Sequence, residues 1–340
     1  MTRPTRAPIS FTRRQFLRAG GAALGGLALG LVPRSLALPP SVSPADQGRI
    51  LVIVRLDGGN DGINTLIPFA DPAYHRLRPT LAVPVRDVLP VSPDLGLHPA
   101  CKGLHALYGS GRLRLIANVG CPRPSRSHFH ALEKWETATP ETAATGTGWL
   151  GRYLDWTAAN QRTPASAVHF TSESPLALRT ANPTARVRRH PSAGDLATDL
   201  RDTAQLIEAR HPASLYCLSL GGFDTHAHQA TAHAQLLGKL DDALRGFQQT
   251  LNQQQLAPQV LTMVWSEFGR TMEENASLGT DHGSSGPVFL MGGIRGGLNG
   301  AAPGTDPVDF RRIYADILED WFGCPSEPIL GPGLEKLALA

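Results

Sequence analysis

The run ILVIVRL from Ile50 to Leu56 is apolar at successive positions except for Arg55, so as a strand it has no polar face. A segment apolar on both sides of its pleat fits the middle of a parallel sheet covered by helices on each face. Further apolar runs at Arg112–Gly120, Leu215–Leu220, Val260–Trp265 and Pro287–Met291 predict more strands, with a short one around Val168–Thr171. Between them the spacing turns helical. Leu196, Leu200, Ala204 and Ile207 form one stripe of a helix over Ala193–His211, and helices are also predicted over His98–Gly109, His128–Ala138, Trp149–Trp156, Gln229–Leu251 and Pro307–Phe322. Strands alternating with helices predict an α/β fold, a doubly wound and mostly parallel sheet sandwiched by helices.

The polar turns carry the chemistry. The first strand runs into DGGNDG, with Asp57, Asn60 and Asp61; Leu215–Leu220 runs into GGFDTHAH, with Asp224, His226 and His228; Val260–Trp265 runs into SEFGRT, with Glu267 and Arg270; and TDHGSSG places Asp281 and His282 just before the last strand. In open α/β sheets ligands bind at the carboxyl ends of strands. These turns contain glycine and no lysine, so solubility alone explains them poorly. Asp, Glu and His suit a divalent cation: zinc first, with Mg, Mn or Ca as other fits, as one ion or two.

Ser127 follows Pro122 and Pro124 and stands at the N-cap of the helix that begins at His128. There it is either a cap or a nucleophile at an anion-favouring helix end, with Arg126 beside it. Ser125 competes for the role, and His128 or His130 could assist either serine.

Composition narrows the class. The chain has 340 residues, 41% of them hydrophobic, with Gly 35 and Pro 28, which is globular and loop-rich. The net charge of +3 gathers in the leader and in Arg186, Arg188 and Arg189, so no nucleic-acid partner is expected. Cys101, Cys121, Cys217 and Cys324 show no paired spacing. Arg13 and Arg14, followed by the uncharged core Ala19–Val32, read as a twin-arginine export signal over residues 1–38, which predicts contact with that translocation machinery and a periplasmic or secreted protein. The core falls short of the ~20 residues of a membrane span, so no stable span is expected. A linker over 39–48 leads to one domain over 49–330 and a tail at 331–340. Within the domain, the Gly-, Thr- and Pro-rich stretch 140–191 is an excursion, either a lid or an inert loop.

The stretches LDGGNDGINTLIP, SRSHFHALEKWETA, GGFDTHAHQ, WSEFGRT and GTDHGSSGPVFLMGG, in that order behind the leader, resemble the bacterial family called domain of unknown function 1501. The resemblance spans nearly the whole mature chain. It implies an alkaline phosphatase-like fold, shared with sulfatases and cofactor-independent phosphoglycerate mutases. That superfamily has an Asp after the first strand, a Ser, Thr or Cys nucleophile at a helix start and later Asp/His sets for two metal ions. Asp57, Ser127, the Asp224 group and Asp281 with His282 match those roles in order, while Glu267 stands where an Asp-His pair is usual. The expectation is an exported hydrolase of small phosphate or sulfate esters. Its metal ligands would be drawn from Asp57, Asp61, Asp224, His226, His228, Glu267, Asp281 and His282. Ser127 would be the nucleophile, assisted by His128, with Arg126 or Arg270 on the ester oxygens. Two other readings are a non-catalytic exported scaffold that keeps a metal, and a metal-free serine esterase using Ser127, His226 and Asp281, which lacks a G-x-S-x-G elbow.

Overall fold

The structure is a computed structural model that describes residues 48–139, 146–160, 163–300 and 305–339. The predicted leader lies outside the described residues. Nine strands form the main sheet: β1 (Ile50–Asp57), β2 (Leu113–Gly120), β3 (Ser166–His169), β4 (Arg186–Arg189), β5 (Leu215–Gly221), β6 (Val260–Ser266), β7 (Ser285–Gly292), β8 (Gly297–Asn299) and β9 (Val308–Asp309). Their order is β8-β2-β7-β6-β1-β5-β3-β4, with β9 also on β2. All pairings are parallel except those of β7, which is antiparallel to both neighbours. The doubly wound, mostly parallel α/β sheet expected from the sequence is the observed fold.

β1 lies at the centre, between β5 and β6, because it can bury both faces. Val52, Val54 and Leu56 point into a core with helices α1 (Lys102–Gly109), α4 (Leu196–Glu208) and α5 (Gln229–Gln253). Leu51 and Ile53 point into the opposite core, built with α2 (His128–Thr137), α3 (Trp149–Ala159) and α6 (Phe310–Asp316). Leu51, Val52 and Val54 are fully buried, and each such side chain contributes about 1.5–3 kcal/mol to folding. α4 starts cleanly because Asp195 caps it, accepting from Thr198 N at 3.1 Å.

Three details depart from the sequence pattern. Within the 140–191 excursion, the described residues add α3 to one face and β3 and β4 to the sheet margin, so these elements extend the sheet. β4 is the arginine-rich edge, RVRR, whose charges discourage pairing with another chain. The tail is docked as far as residue 339: Leu337 N and Leu339 N donate to the Asp316 carboxylate at 2.8 and 3.0 Å. All four cysteines are buried, and none is in a disulfide. No helix among the described residues is long and apolar enough to cross a membrane.

Candidate metal centre

The site grows from the exits of β1, β5 and β6. Gly58 and Gly59 both have positive φ, 116° and 75°, which turns the chain sharply away from Asp57. The turn also packs tightly, since a Cβ on Gly58 would lie 2.4 Å from Asp224 N. Phe223 N donates to the Asp57 carbonyl at 3.1 Å, and Gly58 N donates to Glu267 Oε1 at 2.9 Å, so the three exits are bonded to one another.

Arg270 locks them together. Its side chain is fully buried, and it donates to the carbonyls of Gly58, Gly59 (2.6 Å), Phe223 (2.9 Å) and Thr280 (3.0 Å) and to Asp224 Oδ1 (2.8 Å). The nitrogen that donates to Thr280 also lies 3.4 Å from His226 Nε2. Of the five N–H groups of a guanidinium, four are spent on the carbonyls and Asp224, and the fifth faces His226. The ester-oxygen role expected of Arg270 is thus left at most one donor, and Arg270 acts as a clamp on the turns.

On that frame four side chains converge. Asp224 Oδ1 lies 2.9 Å from His226 Nε2, 3.2 Å from His282 Nε2 and 3.7 Å from His128 Nε2. The ligand atoms of His128, Asp224 and His282 all lie within 4.8 Å of one another. Each imidazole is held from behind. His128 Nδ1 donates to Glu267 Oε1 at 2.8 Å, His282 Nδ1 donates to the Arg126 carbonyl at 2.7 Å, and His226 Nδ1 faces Asp281 Oδ1 at 3.5 Å. A carbonyl or carboxylate only accepts, so the proton of a neutral ring sits on Nδ1 and the lone pair on Nε2 points inward. His226 Nε2 and His282 Nε2 are 2.9 Å apart. Two lone pairs at that separation repel unless a proton or a metal ion lies between them.

For Asp224, burial favours the neutral acid, but the Arg270 guanidinium bonded to it outweighs that and holds the carboxyl below its usual range. It is a carboxylate at neutral pH. Three imidazole nitrogens and one carboxylate oxygen are a donor set suited to zinc and poor for Mg or Ca, which prefer oxygen throughout.

The other sequence candidates lie outside this group. Asp57 is paired with Arg55, which also holds Glu136 at 2.6 Å. Asp61 is fully buried in an ion pair with Arg78, 2.7 Å from Asp61 Oδ2, and also accepts from Gln229. Glu267 and Asp281 stand behind the histidines rather than among them. His228 is exposed, with φ of 47°, at the N-cap of α5. With Asp57 and Asp61 elsewhere, the gathered groups suffice for one ion. Ser127 occupies the N-cap of α2, but its hydroxyl makes no cap bond, whereas Ser125 Oγ accepts from Ser127 N at 3.2 Å. Arg126 lines a cavity of about 280 Å³ beside the site, with Asn118, Met272 and Ser284.

Gly58→Ala tests the frame. A side chain there pushes on the Asp224 backbone, so divalent-ion affinity, measured by calorimetric titration, is expected to fall roughly ten- to hundredfold. Unfolding would cost about 1–3 kcal/mol less because of the positive φ. Unchanged ion affinity would show that the packing of the two turns does not set the site.

No match is found among curated proteins. Solved structures resemble this chain at low identity. A protein in the alkaline phosphatase superfamily from Vibrio parahaemolyticus is 10% identical, with 83% of this chain and 68% of that chain covered and a TM-score of 0.46. The C-terminal periplasmic domain of EcEptC from Escherichia coli is 12% identical, with 75% and 76% covered and a TM-score of 0.44. A 2-O GAG sulfatase is 11% identical over 73% of this chain and 65% of its own length, just under two thirds, with a TM-score of 0.40. Residues 215–319, which carry Asp224, His226, Glu267, Arg270, Asp281 and His282, match the family model described as "Protein of unknown function (DUF1501)".

Proposed function

We propose that this chain is an exported, metal-dependent hydrolase of phosphate or sulfate esters that works with one divalent ion, zinc by the donor set. The observation that carries the reading is the convergence of His128, Asp224, His226 and His282, each ring backed by a group that turns its Nε2 inward. His128, Asp224, His226 and His282 would hold the ion, which when bound would supply charge neutralisation for the ester and lower the pKa of a coordinated hydroxyl. The chain's own groups supply position. Arg270 and Glu267 fix Asp224 and His128, Ser127 offers its uncapped hydroxyl at the amino end of α2, and the N–H groups of that first turn favour an anion. Arg126, one residue away, remains for the ester oxygens. Export rests on the twin-arginine pattern around Arg13 and Arg14.

One observation favours a second reading, a metal-binding scaffold without catalysis. With Arg270 committed to clamping the turns, no other buried cation among the described residues faces the cluster to meet an ester anion. Elemental analysis of protein purified without chelator is expected to find one equivalent of a divalent ion. Less than one would sink both readings, while one equivalent with a blank screen of phosphate and sulfate esters would leave the scaffold.

A further inference from the structure

On the other side of the DGGNDG turn from the metal centre lies a cavity of about 420 Å³, within the size range of small-molecule sites. Among its walls are Leu81, Val83 and Leu89, and two histidines line it. His98 and His233 are only 8% and 2% exposed. His98 Nδ1 accepts from Ala100 N at 3.1 Å, so the proton of its neutral ring is on Nε2. His233 Nε2 donates to Asn60 Oδ1 at 3.0 Å, which leaves a lone pair on Nδ1. Neither His98 Nε2 nor His233 Nδ1 has a hydrogen-bond partner among the described residues. Neither nitrogen is sealed in the packed interior, and both residues line the cavity, so one donor and one acceptor are offered to whatever fills it.

We propose that this cavity binds an uncharged, polyhydroxylated small molecule of about monosaccharide size, held by hydrogen bonds to His98 Nε2–H and His233 Nδ1. A hydroxyl both donates and accepts, so a pair of neighbouring hydroxyls satisfies both nitrogens. A carboxylate or phosphate would satisfy His98 and leave the His233 lone pair facing negative charge, and an ammonium would do the reverse. Burial pushes both rings down to about 4, which keeps the pair neutral at pH 7. The lining carries one cation and one anion, Lys102 and Asp87, so it has no net charge preference. The aliphatic walls suit the C–H surface of a ring. The site shares no side chain with the metal centre and does not depend on the hydrolase reading.

The test is imidazole ¹⁵N NMR on the full chain at pH 7, titrated separately with glucose, N-acetylglucosamine, myo-inositol and glycerol. Expected are saturable shifts of the His98 and His233 ring nitrogens for at least one cyclic probe, with a dissociation constant at or below roughly 1 mM. The affinity should fall roughly tenfold or more in His98→Phe. Ala230→Trp, at an exposed position on α5 that lines the cavity, should obstruct it without disturbing buried groups. Absence of saturable shifts with all four probes overturns the proposal, as do shifts that persist unchanged in Ala230→Trp.

Discussion

Ser127→Ala is expected to lower hydrolysis of p-nitrophenyl phosphate or sulfate by at least about a thousandfold while the bound ion is retained, since losing a nucleophile removes the step that the rest of a site is arranged to assist. The expectation rests on contrast with its neighbour. Ser125 Oγ is occupied by the Ser127 N–H, whereas Ser127 Oγ caps nothing and stands next to His128 in the chain. Ser125→Ala should therefore change the rate only a few-fold. Steady-state kinetics with metal content measured on the same samples decide the matter. An unchanged rate in Ser127→Ala removes Ser127 from the nucleophile role, and a joint loss of rate and metal would make it part of the ion's surroundings instead.

The second large effect is on stability. Asp61→Ala should destabilise the fold by about 3–5 kcal/mol in urea unfolding, because it leaves the Arg78 guanidinium buried with only the Thr271 and Met272 carbonyls. The double variant Asp61→Leu with Arg78→Met, which removes both charges, should recover part of that loss. The pair also shapes acid stability. Burial alone would raise the Asp61 carboxyl, but Arg78 and His233 more than offset it and hold the group below the usual carboxylate range. Its folded-state value is depressed, so its contribution is complete above the ordinary aspartate pKa and is lost as pH falls through the lower folded value. His233 is depressed from 6.5 to about 4. Its contribution, on the order of 3 kcal/mol, is complete above pH 6.5 and is lost as pH drops toward 4. Stability of the unaltered protein should thus decline first between pH 6.5 and 4. A flat profile across that window would mean that His233 titrates normally and is not sealed from water.

Sequence pattern revealed the sheet because β1, β5 and β6 are buried on both sides, and such runs leave little choice of placement. The glycine-bearing turns were legible for the same reason, since a strand that ends in the core must deliver its next residues to the rim. What the pattern could not resolve was the division of labour within one turn. Asp57 and Asp61 belong to the same motif, yet one meets Arg55 on its own strand and the other meets Arg78, which caps the short helix Pro72–Leu77 that the pattern did not reveal. That pairing depends on the path of the loop, not on local spacing. Arg270 misled for a related reason: an arginine near a site looks like an anion binder until its donors are traced to four backbone carbonyls and Asp224. The short hairpin of Arg270–Glu274 and Thr280–His282 also went unseen, because its polar residues alternate with no apolar face. β4 was hidden by its arginines.

The reversed polarity of β7 decides how the centre is assembled. Every forward-running strand hands over its side chains after its last residue, but a backward-running one presents the residues that come before its first. His282 precedes Ser285 and so arrives at the brim where β1, β5 and β6 finish. Had those eight residues run the other way, the same histidine would sit at the far side of the sheet, about 25 Å off. A single inverted strand thus lets one late segment of chain supply a partner for residues laid down nearly sixty positions earlier, with His282 and Asp224 separated by 58 in sequence.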